Sequence, residues 1–78
     1  MQGIRVTRPE TFARIRAALE PLLGCEASNP LEAYLDPHVA DVYAVRVQGV
    51  GDFLIHADGD VEDCEFKQWP PQTHPYYD

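Results

Sequence analysis

Seventy-eight residues, 45% hydrophobic and 24% charged, describe one small folded domain. Such a chain has no room for a second core and buries only roughly 60% of the surface its unfolded form exposes. Thirteen acids against six bases give −7, which argues against direct nucleic-acid binding, because duplex binding needs Lys and Arg against phosphate, and against anionic membranes. No apolar run approaches the ~18 residues of a spanning helix, and the opening MQGIRVTRPE holds no apolar signal stretch, so a cytoplasmic protein is expected. Cys25 and Cys64 permit at most one disulfide and make no disulfide scaffold.

In chain order, Ile4 and Val6 alternate with Gly3 and Arg5 as in a short first strand. Thr7-Arg8-Pro9-Glu10 follows with the grammar of a capping box: Thr7 to cap, Pro9 in the first turn, Glu10 three residues on. Phe12, Ile15, Leu19, Leu22 and Leu23 recur at helical spacing. Pro21 is expected to kink or end this helix near Leu19–Glu20, with Gly24 as a stop if the helix reaches it. Asn29-Pro30-Leu31-Glu32 repeats the capping grammar and predicts a short second helix closed by Asp36-Pro37.

Val39 to Val47 is rich in β-branched and aromatic residues and predicts the strongest strand. Gly49-Val50-Gly51-Asp52 turns it into a strand over Phe53–Ala57, and Asp58-Gly59 marks a hairpin leading to a last strand from about Val61 to Lys67. A loop of two or four residues would place Phe53, Ile55, Cys64 and Phe66 on the face that receives the helices, with Leu54, His56, Asp63, Glu65 and Lys67 on the other. Glu62 falls by parity on the buried face, near the hairpin tip. The fold class expected is α+β: a three-stranded antiparallel meander plus a short N-terminal strand, with one main helix and one short helix packed on one face. This domain spans residues 1–69. Residues 70–78, with three prolines and the pair Tyr76-Tyr77, read as an extended tail that packs on its own domain, the alternatives being a tail held out for a partner or a flexible end.

The charge is unevenly distributed. Residues 1–19 hold Arg5, Arg8, Arg14 and Arg16 against Glu10, a net of +3, whereas residues 20–78 carry −10. Five carboxylates, Asp58, Asp60, Glu62, Asp63 and Glu65, fall within eight positions. Opposite-sign cross-strand partners are expected only in His56 and Lys67, leaving an under-compensated acid strip. Such a strip attracts basic protein surfaces and steers their encounter at long range. Acids on a small domain also serve solubility alone.

Catalytic chemistry is not indicated. Cys25, Cys64, His38, His56 and His74 show no metal-ligand spacing, and neither a metal nor another cofactor is expected. Cys64 reads as a core residue, and Cys25 lies beside Glu26, which opposes a thiolate. Solvated acids do not make the buried, pKa-split pair a hydrolase needs, and a His56–Asp63 dyad has no serine placed to use it. Asp58-Gly59-Asp60-Val61-Glu62 only faintly matches a calcium loop, its glycine being misplaced. Gly49-Val50-Gly51 is a turn with no helix behind it to receive a phosphate.

As a class, the chain resembles small acidic anti-CRISPR proteins, phage-encoded inhibitors, through its single α+β domain and the strip Asp58, Asp60, Glu62, Asp63 and Glu65. The resemblance implies a non-enzymatic inhibitor, acting in the cytoplasm of an infected or host bacterium, that covers the basic DNA channel of a CRISPR effector subunit. It further implies that these five residues, joined by Asp52, Asp41 and Asp36, pair with lysines and arginines of that partner. Alternate carboxylates on one strand face lie about 6.6–7 Å apart, a spacing suited to mimic phosphates. Tyr43, Trp69 or Tyr76 would anchor the dry centre of such an interface. Arg8, Arg14 and Arg16 depart from an all-acidic mimic and indicate one negative and one mixed face. An immunity-type inhibitor of a toxin nuclease, or a small interaction module with idle acids, would share these features.

Overall fold

The computed structural model of the chain describes residues 4–35 and 41–71. It is an α+β fold with one α-helix against a five-stranded antiparallel sheet, its strands in sequential order. The elements are β1 (Ile4–Arg5), α1 (Pro9–Leu23), a 3₁₀ turn (Gly24–Ser28), β2 (Leu31–Leu35), β3 (Tyr43–Val47), β4 (Gly51–Ile55) and β5 (Val61–Cys64). Asp36, His38 and the start of the strand expected from Val39 lie outside the described residues, as does the tail beyond Pro71.

Helix α1 forms where the apolar spacing places it, burying Ile15 and Leu19 completely. The capping residue is Arg8 rather than Thr7. Its side chain makes no cap bond, and its carbonyl accepts from the amides of Thr11 and Phe12 at 3.1 Å each. Pro21 does not end the helix, which continues to Leu23. One lost bond to Ala17 in the last turn, on an exposed face, costs less than the burial that Leu19 and Leu23 supply. Gly24 stops the helix with φ +61, and its amide donates to the carbonyl of Glu20.

The expected second helix is strand β2. It pairs with β1 through Ile4↔Leu35 and with β3 through Ala33↔Val45, so it lies inside the sheet. Local capping grammar is worth about 1 kcal/mol, which two flanking ladders and burial on both faces outweigh. Asn29 turns its amide to the Gln48 carbonyl, 3.1 Å, instead of capping.

Register decides which face each residue serves. Leu31, Ala33, Tyr43, Val45, Val47, Phe53, Ile55 and Val61 join α1 in the main core. The opposite face carries a second cluster: Val42, Ala44 and Leu54, covered by Cys64, Phe66 and Trp69. After β5 the chain folds back across this face as a strap, residues 65–71, and Pro71 at its end is buried. Trp69, placed by the sequence at the domain's last position, is a structural contact here: it meets Tyr34 edge-on at 5.4 Å and Phe66 at 5.6 Å.

The β4–β5 loop overturns the expected parity. Ile55 pairs with Val61, leaving an odd loop of residues 56–60. The Gly59 amide donates to the His56 carbonyl at 2.9 Å, and Gly59 takes φ +88. That is a type I turn closed by a glycine bulge, which adds one residue and reverses every side chain beyond it. Cys64 therefore shares a face with Asp52, and Phe66 packs with them. Asp63 lies across from Phe53, on the helix side of the outermost strand. Glu62 lies across from Leu54, away from the helix, and not on the buried helix face. Strand β5 ends at Cys64, short of Lys67, and β4 runs from Gly51 to Ile55 rather than Phe53 to Ala57.

Candidate interaction surface

The acid strip divides into carboxylates the fold uses and carboxylates it leaves outside. Asp52 belongs to the first kind. Across β2 to β5 on the strap side run Glu32, Arg46, Asp52 and Cys64, each the register partner of the next. Arg46 grips Asp52 with both arms, Nε to Oδ1 at 2.7 Å and Nη2 to Oδ2 at 3.0 Å. The Phe66 amide donates to the same carboxylate at 3.1 Å, and Trp69 Nε1 donates to Glu32 at 3.0 Å. The Arg46 guanidinium sits 4.6 Å from the Trp69 ring centre. Arg46 thus supplies the cross-strand counter-charge that the sequence pattern assigned only to His56 and Lys67.

The electrostatics of this row are mutual. Burial by itself pushes the Asp52 carboxyl up. The hydrogen bonds from Arg46 and the Phe66 amide, with the Arg46 charge, outweigh burial and hold it below the ordinary carboxylate value. The bond to Asp52 raises Arg46 in turn. Burial, chiefly, raises the Cys64 thiol, aided by the nearby Asp52 and Glu62 charges and opposed by the Glu65 amide. Cys64 is thereby kept as a thiol, a poor nucleophile. Both cysteines are free, and Cys25 is exposed; it lines a cleft of about 460 Å³ with Arg16 and Glu20. Arg16 is already committed there, donating to the carbonyls of Ala27 at 2.7 Å and Asn29 at 2.8 Å.

Two further acids have internal roles. Glu62 meets His56, Nε2 to Oε1 at 3.0 Å, so the histidine's carboxylate partner is Glu62 and not Asp63. Asp58 accepts the Asp60 amide at 2.9 Å and thereby stabilises the loop it stands in. Asp41 is exposed with φ +60, the left-handed turn that ends any strand continuing back from Tyr43. Asp36 lies outside the described residues.

What remains outside is Asp60, Asp63 and Glu65, all exposed, and no basic side chain among the described residues pairs with them. Asp60 stands at the hairpin tip, Asp63 on the outermost strand, and Glu65 at the start of the strap just beyond it. Arg5, Arg8 and Arg14 are exposed on β1 and α1. Of the expected aromatic anchors, Tyr43 packs in the main core, Trp69 is engaged by the strap, and Tyr76 lies outside the described residues. Among the described residues no group of three or more His, Cys, Asp or Glu converges as a metal site. Among the described residues no helix is long and apolar enough to cross a membrane.

No protein-family model matches the chain, and comparison with curated proteins and with solved structures gives no match either.

Proposed function

We propose that this chain is a non-enzymatic inhibitor that docks on a basic, nucleic-acid-binding protein surface through the β4–β5 hairpin and β5. Within that class, we propose an anti-CRISPR protein that keeps DNA from a CRISPR effector complex. The observation that carries the reading is the division of the acids: Asp52, Glu62 and Asp58 have side-chain partners inside the fold, while Asp60, Asp63 and Glu65 are exposed with no side-chain partner among the described residues. Carboxylates clustered at the hairpin tip, on β5 and just beyond it repel one another, a cost that opposite charge on a partner removes. Exposed Arg5, Arg8 and Arg14 stand on β1 and α1, with Arg14 beside His56 and Gly59 of the hairpin, so the surface is mixed rather than uniformly negative.

Affinity capture from the lysate of the source cell, at low and high salt, tests this. Wild-type protein is expected to retain a nucleic-acid enzyme at low salt and release it as salt rises. An Asp60→Asn/Asp63→Asn/Glu65→Gln variant is expected to lose it. Equal capture by both proteins would show that the acids only solubilise the chain. Identification of the captured enzyme separates a CRISPR effector from a toxin nuclease.

A further inference from the structure

We infer that the outer edge of β5 is a strand-addition site whose occupant is an extended, basic polypeptide segment; this rests on the function proposed above and names how the partner engages. Among the described residues, the sheet order leaves β5 with β4 as its one neighbour. The His56 amide donates to the Asp60 carbonyl at 2.9 Å, marking that pair as hydrogen-bonded. Antiparallel ladders alternate, so Leu54–Glu62 and Asp52–Cys64 are the bonded pairs that follow. The amides and carbonyls of Val61 and Asp63 then point away from β4, outward along the edge. The strap does not lie on that side: from Phe66 it crosses β4 at Asp52 and reaches β2 and β3 at Glu32, Tyr34 and Arg46.

The charge beside those backbone groups selects the occupant. A second copy of β5 would set Asp63 and its acidic neighbours against their own kind, and like charges facing across a ladder are destabilising. A strand with Lys or Arg at alternate positions would bring cations beside Asp63 on the helix side, while its backbone bonded Val61 and Asp63. Charge complementarity thus favours a basic segment over another copy of this chain.

The test uses a synthetic ten-residue peptide of alternating Lys and Val, and the same peptide N-methylated at alternate residues, which keeps its charge and loses one edge of donors. Binding to the intact protein is followed by titration, with hydrogen exchange read at the Val61 and Asp63 amides. The unmethylated peptide is expected to bind, to protect both amides, and to exceed the methylated one by about tenfold or more, the effect of several lost hydrogen bonds. Asp63→Pro removes the outward amide yet suits an edge strand, and it should weaken binding well beyond Asp63→Asn; a thermal melt of each variant confirms that it is folded. Equal binding of both peptides without amide protection would overturn strand addition and leave the acidic-surface reading standing. Absence of binding by either peptide would also overturn it, and the capture experiment would then decide the acidic surface separately. Protection of the two amides on raising the protein concentration alone would identify a second copy as the occupant and overturn the basic-segment assignment.

Discussion

Asp52 shows how much a single carboxylate can hold. Its side chain is 9% exposed against 40% for Arg46, so it is the partly desolvated end of the pair, and it also receives the amide that anchors the strap. Replacing it by Ala leaves the Phe66 amide and the Arg46 guanidinium without their acceptor, and about 1–3 kcal/mol of stability should be lost in chemical denaturation. The pH dependence follows from the same geometry. A carboxyl whose folded pKa is depressed contributes stability above its unfolded pKa, about 3.9 for Asp, and loses it as pH falls through the lower folded value. Stability should therefore decline in the acid range below about pH 4, and an Asp52→Asn variant should show a smaller decline there. An unchanged acid limb in that variant would remove Asp52 from the explanation.

At the scale of elements, the strap and the β4–β5 turn each have a direct test. The chain has one tryptophan, so intrinsic fluorescence reports the strap selectively. Trp69→Phe retains an aromatic against Tyr34 but loses the donor to Glu32, and it should cost about 0.5–1.5 kcal/mol, read by far-UV circular dichroism in chemical denaturation because this variant lacks the fluorophore. Gly59→Ala meets no neighbour within 4 Å, so its penalty is conformational: at φ +88 an L-residue should cost on the order of 1–2 kcal/mol, read by thermal melting. This scale is also where the sequence was most and least legible. Helix α1 followed from periodicity, because apolar spacing records burial directly, and the strand character of residues 43–47, 53–55 and 61–64 from β-branched and aromatic composition and the turn residues between them. Strand β2 did not, because Asn29-Pro30-Leu31-Glu32 satisfies a local cap equally well and its strand identity comes from neighbours distant in sequence. The alternation of Leu31, Ala33 and Leu35 was the available signal. Face assignment beyond Asp58-Gly59 failed for a subtler reason, since one bulged residue reverses the parity and Asp-Gly is compatible with loops of odd and even length.

For the whole molecule, the consequence is a redistribution of charge relative to a simple strip. The sequence pattern located the acids, but register and the Arg46 pairing decide which of them face solvent. Asp60, Asp63 and Glu65 are exposed at the hairpin tip, on β5 and just beyond it, the exposed arginines belong to β1 and α1, and the strap covers the second sheet face. Surface charges of this kind govern association rate more than folding. Neutralising the three exposed acids should change stability by no more than about 0.5 kcal/mol for each while slowing association with the captured partner and flattening its salt dependence. Arg8→Gln, at the start of α1, should leave both unchanged. The central claim is occupancy of a nucleic-acid surface, and the most direct measurement is competition: the captured enzyme is loaded with a fluorescently labelled nucleic-acid substrate and titrated with wild-type protein. Displacement by the wild type, absent with the Asp60→Asn/Asp63→Asn/Glu65→Gln variant, is the result expected. A stable ternary complex of enzyme, substrate and this protein would contradict it.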